Sequence, residues 1–400
     1  MTVKQESAAG AINAARALRD FGDGFVTVLL PVALLARGHS TAEVGVLATV
    51  ALLGSALTTL GAGWIGARFD PRGLLLAYAG VMAATGLLLA VTSNYWALLA
   101  IAFLGTVNPT AGNVSPFVPL EHAVLARSLA DAKRTQGFAR YGLAGTLAAA
   151  CGALAAASPD LLARIGISQS TALSTMFVLY AALGAVAGLA YAQVPPVPPA
   201  ADGKPASVLG PSRAIVYKLA ALFSLDAFAG GFVVQSLTAL WLFQRFGLSL
   251  WAAGVFFFWA GVLAAFSLPV AAWLARRIGL VNTMVWTHIP SSLFIICAAL
   301  SPRLDLALGF MLARYALSQM DVPTRSSYVM AVVTPPERAA AASVTSVPRS
   351  LAAAASPAMA GALFAAGFEA WPLIICGALK ILYDIALLWV FRHVKPPEER

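Results

Sequence analysis

The chain has 400 residues, 60% of them hydrophobic and 11% charged, against roughly 45–50% and about 25% in soluble domains. A water-soluble fold cannot cover that much apolar side chain, so the composition excludes a soluble enzyme and points into the bilayer. The formal net charge of +9 comes from Lys and Arg placed singly or in pairs between apolar runs, without the clustered basic face that nucleic-acid binding needs.

Along the chain, Met1 to Ala15 is polar and small and has no apolar core ahead of a cleavage site, so the first apolar run is expected as a retained membrane helix. A spanning helix needs about 20 mostly apolar residues. Twelve stretches fit: 17–37, 42–66, 73–92, 95–120, 135–157, 170–194, 214–244, 250–274, 280–300, 304–332, 338–366 and 371–393. The polar, Pro-rich segment 195–212 cannot span and reads as a linker between a six-helix bundle at 1–194 and another at 213–400. Cys151, Cys297 and Cys376 lie in separate apolar stretches, which suggests neither a disulfide framework nor a metal cluster. No phosphate-cradling Gly-Lys loop is seen, so neither metal nor cofactor is expected.

With both termini in the cytoplasm, the inner segments collect Lys4, Arg16, Arg68, Arg72, Arg127, Lys133, Arg134, Lys204, Arg213, Lys218, Arg276, Arg277, Arg338, Arg392, Lys395 and Arg400. The outer loops collect Arg37, Arg164, Arg245 and Arg303. That bias is the positive-inside signature, and it predicts a multi-pass protein of the inner, or plasma, membrane.

The two halves match at an offset of 209 residues: Gly38, Ser40 and Gly45 with Gly247, Ser249 and Gly254; Trp64 and Arg68 with Trp273 and Arg277; Arg140 and Gly152 with Arg349 and Gly361. A six-helix unit duplicated in parallel keeps such a register. This organisation resembles the major facilitator superfamily over essentially the whole chain. The family's loop signature, roughly G-x-x-x-D-R-x-G-R-R, corresponds to the stretch from Gly63 to Gly73, with Gly63, Arg68 and Arg72 present, Ala67 in place of the usual acid, and Asp70 three residues later. A second copy retains Arg276 and Arg277. The resemblance implies an all-α carrier of twelve helices in two pseudo-symmetric bundles, with this loop as a gating element; anchoring of inner helix ends is the alternative reading.

Charge at bilayer depth costs about 2.5–3.5 kcal/mol per residue on insertion scales, so each such residue requires a partner, water or a function. Arg16, Asp20, Asp23 and Thr27 fall on one face of the first span, and Arg314, Ser318, Asp321 and Arg325 repeat the spacing in the tenth. The seventh span contributes Asp226, Gln235 and Thr238, and the fourth contributes Asn108, Thr110 and Asn113 among prolines that should free backbone groups for a ligand. In the resembling fold the first, fourth, seventh and tenth helices line the central cavity, which implies that these residues line it too. There the fifth helix packs beside the first and the eleventh beside the seventh, so Arg140 is expected near Asp20 or Asp23, and Arg349 near Asp226. Three readings stay open for these arginines: salt bridges within each half, control of an Asp proton site, or clasping of an anion. Lys380 and Asp384, at i and i+4, are expected to pair with each other. His288 is expected to be a hydrogen-bonded structural residue, and Glu121 solvated or paired with Arg127.

The expected function is secondary active transport of a small solute by alternating access. Proton coupling through Asp20, Asp23 or Asp226 is expected, with export favoured by likeness to drug:proton antiporters. The partners are solute, protons and lipid, and the working unit a monomer. Uptake or exchange of a small anion through Arg140, Arg314 and Arg349 is the alternative, and a non-transporting receptor on the same fold is the alternative of another class.

Overall fold

A computed structural model describes residues 3–65, 69–104, 107–110, 115–129, 131–196, 209–334, 337–392 and 394. The regular elements among them are all helices: α1 (Val3–Ala36), α2 (Thr41–Ile65), α3 (Pro71–Val91), α4 (Tyr95–Leu104), α5 (Phe117–Ser128), α6 (Asp131–Ala155), α7 (Ser158–Arg164) and α8 (Gln169–Ala192) in the first part of the chain. There follow α9 (Arg213–Gly231), α10 (Gln235–Phe246), α11 (Leu250–Ile278), α12 (Leu280–Leu300), α13 (Leu304–Leu317), α14 (Asp321–Val332), α15 (Arg338–Ala365) and α16 (Trp371–Phe391). Joining α4 with α5, α6 with α7, α9 with α10 and α13 with α14 groups these segments into twelve passes. Eight described stretches are by length and composition able to cross a membrane. The rest, α1, α4 with α5, α13 with α14, and α15, hold buried charge, a break or a run of Ser.

The breaks have local causes. Pro109 and Pro116 flank the break in the fourth pass, where their missing backbone donors are tolerated, and Pro119 occupies the first turn of α5. Gly230 and Gly231 end α9, where the loss of side-chain constraint makes continued helix less favourable. Pro323 occupies the first turn of α14, where its missing N–H would have no intrahelical partner in any case.

The described chain divides into two compact units, residues 1–203 with 235–258, and residues 204–234 with 259–400. In the first, α1 packs against α6 and α8, and α3 against α8, around Ile12, Leu75, Phe117, Leu125 and Tyr191. In the second, α9 packs against α15 and α16, and α12 against α16, around Val216, Phe223, Met284, Tyr328 and Tyr383. The expected neighbours, fifth pass beside first and eleventh beside seventh, are therefore those found.

Two glycine features explain part of the repeat. Gly38 and Gly247 both have positive φ, 86° and 60°, a conformation that costs a residue with a Cβ but not glycine. A Cβ on Gly152 would overlap the Phe21 carbonyl oxygen, and one on Gly231 would overlap Ser356 and the Ala353 carbonyl oxygen. In each unit, then, glycine lets the first pass and its main partner come into backbone contact.

At the entry to α9, Glu337 accepts hydrogen bonds from the backbone N–H of Gly210, from the N–H of Ser212 at 3.3 Å, and from the Thr334 hydroxyl at 2.5 Å. The bonds from Ser212 and Thr334 hold its carboxyl down to about 2.

Candidate functional site

Among the described residues, each unit carries a buried polar cluster. In the first, α1 supplies four charges, because Arg16, Arg19, Asp20 and Asp23 recur at three- and four-residue steps and so share one side of the helix. All four are buried. Arg16 Nε lies 2.7 Å from Asp20 Oδ2, and its guanidinium sits 5.0 Å from the Tyr141 ring centre. The pairing expected for Arg140 is not formed. Arg140 is exposed on α6, and the i+4 geometry of a continuous helix delivers Arg16 to Asp20 first.

Arg19 was absent from the polar stripe read in the sequence, although it lies three residues from Arg16 and four from Asp23. It is the centre of the unit. Its Nη2 is 2.7 Å from Glu121 Oε2, and its Nε donates to the Tyr191 hydroxyl at 2.9 Å. The Tyr191 and Tyr141 hydroxyls donate to Glu121 at 2.6 and 2.5 Å, and Phe117 places its ring centre 4.0 Å from the Arg19 guanidinium carbon. Glu121 is thus completely buried and paired with Arg19, not solvated or paired with Arg127. The physical reason is that α5 turns Glu121 inward with Phe117, Leu120, Val124 and Leu125, away from the terminal turn that holds Arg127.

Asp23 differs from its neighbours. Its described side-chain partner is the neutral Tyr180 hydroxyl, donating at 3.2 Å from α8. Thr27 donates to the Asp23 carbonyl at 2.6 Å and approaches the Asn108 carbonyl at 3.0 Å. The Asn108 side chain accepts from the Thr110 N–H and hydroxyl at 2.9 and 2.6 Å, shaping the break between α4 and α5. The Pro109 carbonyl accepts from the Ser236 N–H at 3.2 Å. The Pro109 carbonyl, one of the backbone groups the prolines were expected to free for a ligand, is therefore satisfied within the protein. Asn113 lies outside the described residues, and Gln235 opens α10 partly buried.

In the second unit, Asp226 of α9 is buried, with both oxygens occupied. Lys380 Nζ of α16 lies 2.5 Å from Oδ1, and Arg325 Nη1 of α14 lies 3.1 Å from Oδ2. Arg325 also reaches Asp321, one turn away, at 3.3 Å. His288 of α12 lies 3.0 Å through Nδ1 from Asp384, 3.3 Å through Nε2 from Lys380 and 3.7 Å from Asp226. The expected Lys380–Asp384 pair is thus replaced by two cross-helix contacts, Lys380 with Asp226 and Asp384 with His288. His288 is hydrogen-bonded as expected. Arg349 does not take Asp226, whose oxygens are already held, and its Nε is buried without a hydrogen-bond partner. Arg314 lies with its guanidinium carbon 5.0 Å from the Tyr315 ring centre, and Ser318 closes α13 by its N–H to the Arg314 carbonyl at 2.8 Å.

At the loop between α2 and α3, Gly63 lies within α2, whereas Arg68 and Ala67 fall outside the described residues. Asp70 caps α3 by accepting from the Arg72 N–H at 3.1 Å. The Arg72 guanidinium donates to the Ala192 carbonyl at 2.8 Å, which suits a cation at a helix C-terminus. Arg276 and Arg277 are exposed at the end of α11, with Arg277 4.3 Å from the Trp273 ring centre.

The sequence profile of the Major Facilitator Superfamily matches residues 12–318. The chain belongs to this superfamily. As a member it is a membrane transporter that moves a solute by alternating access. An uncharacterized membrane protein of Saccharomyces cerevisiae is 22% identical over 413 aligned positions, covering 94% of this chain and 92% of the yeast protein. Among solved structures, a bacterial homolog of the human lysosomal transporter Spinster, inward-facing and occupied, superposes with a TM-score of 0.75 at 16% identity over 98% of both chains. The nucleoside transporter NupG gives 0.74 at 14% identity over 98% of this chain and all of its own. The human organic anion transporter MFSD10 gives 0.64 at 19% identity over 97% and 100%. At these identities the likeness establishes the major facilitator fold of twelve helices.

Proposed function

We propose that this transporter couples movement of a small solute to protons, with Asp23 as the acid that gains and loses the coupling proton. The carrying observation is the partner list of Asp23. Among the described residues, Asp20, Glu121, Asp226, Asp321 and Asp384 each lie within ion-pair distance of an Arg, Lys or His. Asp23, equally buried, meets a phenol. A carboxylate in an apolar span needs a compensating charge, and without a fixed cation a mobile proton can supply it. Tyr180, as donor, favours the ionised form without holding it as tightly as a cation would. Asp23 is thus poised between states, whereas Asp226 is clamped. The excess of Lys and Arg on alternate loops supports insertion in the plasma membrane with both termini cytoplasmic.

The test is transport in proteoliposomes carrying a pH-sensitive dye. Nucleosides, short peptides and organic anions, the solutes named for its structural neighbours, form the starting panel. Solute added to wild-type liposomes is expected to move protons, and the sign of the pH change gives symport or antiport. Asp23→Asn should abolish solute-driven proton movement while solute exchange at zero gradient continues. Intact proton movement in Asp23→Asn would refute the assignment.

A further inference from the structure

The charges gathered around Asp226 in the second unit are Arg325, Arg349 and Lys380 with Asp226, Asp321 and Asp384. The acids are already committed: Asp226 to Lys380 and Arg325, Asp321 to Arg325, and Asp384 to His288. Arg349 is within electrostatic reach of Asp226, Asp321, Arg325 and Tyr383, yet none of these acids is left to pair with it. Its Nε is sealed and unpartnered, while the residue as a whole remains partly exposed.

That exposed side does not read as a lipid-facing surface. Ser343 and Ser346 lie six and three residues before Arg349 on α15 and are exposed, and Ser350 follows it partly exposed. Ser343, Ser346 and Ser350 are spaced three and four residues apart and so form one stripe, which Arg349 adjoins through Ser346, three residues before it. A polar stripe on a membrane helix faces water or protein rather than lipid. At the positions that match Ser343, Ser346 and Ser350 by repeat, the helix of Arg140 carries Arg134, Gly137 and Tyr141. The Ser-lined setting is therefore a property of Arg349 alone in this pair.

We infer that Arg349 binds an anionic group of the transported solute, a carboxylate, sulfonate or phosphate, on the Ser-lined face of α15. The planar guanidinium offers such a group two parallel hydrogen bonds, and the bound anion supplies the countercharge that the unit's own acids do not. This rests on the reading of the chain as a solute carrier and names the solute's chemistry.

Equilibrium binding to the purified full chain, measured as thermal stabilisation at constant ionic strength and without any gradient, tests it. The probes are benzoate, benzenesulfonate and phenyl phosphate, against neutral benzamide and cationic benzylamine. At least one of the anions should stabilise the wild type saturably, and neither control should. Arg349→Gln should weaken that binding by roughly 10- to 100-fold, the worth of a charge-assisted hydrogen bond. Arg349→Lys should retain part of it, and Arg314→Gln should affect it less than Arg349→Gln does. Removing an unpaired cation is not expected to lower the ligand-free melting temperature, and the charge-preserving Lys variant gives a second reading if it does. Failure of all three anions to stabilise the wild type, or wild-type affinity in Arg349→Gln, would overturn the inference. Because proton movement is read separately in liposomes, proton movement that persists in Asp23→Asn together with intact anion binding would refute the assignment of Asp23 and leave this one standing.

Discussion

In the first unit an acid of α1 meets α8, in the second an acid of α9 meets α16, and the two contacts are completed in opposite ways. In the first unit Asp23 receives a hydrogen bond from the neutral Tyr180 at 3.2 Å. In the second, Asp226 receives the ammonium of Lys380 at 2.5 Å and the guanidinium of Arg325 at 3.1 Å. Duplication supplied the same helix neighbours twice, and side-chain divergence then made one contact electrically open and the other closed. The first unit pairs the cations of α1 elsewhere, Arg16 with Asp20 and Arg19 with Glu121. At the 209-residue offset Asp23 corresponds to Phe232 and Asp226 to Ala17, so equivalent helix pairs in a repeat need not carry their acids at equivalent positions or with equivalent chemistry: the partner list decides.

The comparison can be broken most forcefully at Asp226. Asp226→Asn leaves two buried cations facing a neutral amide, and stripping one partner from a buried pair costs about 3–5 kcal/mol. The variant is expected to lose much of its thermal stability in detergent, and Lys380→Met in the same chain should recover part of it in a double-mutant cycle. Glu121→Gln should cost somewhat less, about 2–4 kcal/mol, because Arg19 keeps Tyr191 and Phe117 as neighbours. Asp23→Asn lies far below both: Asn retains an acceptor for Tyr180 and strands no cation, so a change under about 1 kcal/mol is expected. Equal destabilisation by Asp23→Asn and Asp226→Asn would dissolve the contrast between the units.

A further prediction concerns Glu337, whose bonds lie outside both clusters. Its carboxyl is held down at about 2 in the folded protein against an ordinary value of 4.5. A depressed folded value means that its contribution is full above about pH 4.5 and is lost as pH falls toward 2. The melting-temperature difference between wild type and Glu337→Gln should therefore be constant near neutrality and shrink through that acid window. A difference that persists unchanged to pH 2 would contradict the assignment.

Much of this architecture was legible in the sequence because bilayer thickness sets helix length and the repeat sets helix order. The turns at Gly38 and Gly247 match because both need positive φ. The Arg16–Asp20 and Asp321–Arg325 contacts were readable as one-turn spacings on continuous helix. Partner choice across helices was not. Lys380 and Asp384 have equally good spacing, but buried cross-helix groups compete for each, and Asp226 and His288 win. In the sequence Glu121 stands six residues before Arg127, and only the packing of α5 against α1 brings Arg19 to it. The Arg140 and Arg349 match was visible, while their different surroundings depend on how each helix is turned in its own unit.

The contrast between an open and a closed acid stands most directly on where a proton resides. Infrared difference spectroscopy of the purified transporter, titrated across the neutral range, reports the carbonyl stretch of a protonated carboxyl group. The account predicts a titrating band in the wild type that is missing in Asp23→Asn and restored in Asp23→Glu. A titrating band that survives unchanged in Asp23→Asn would contradict it.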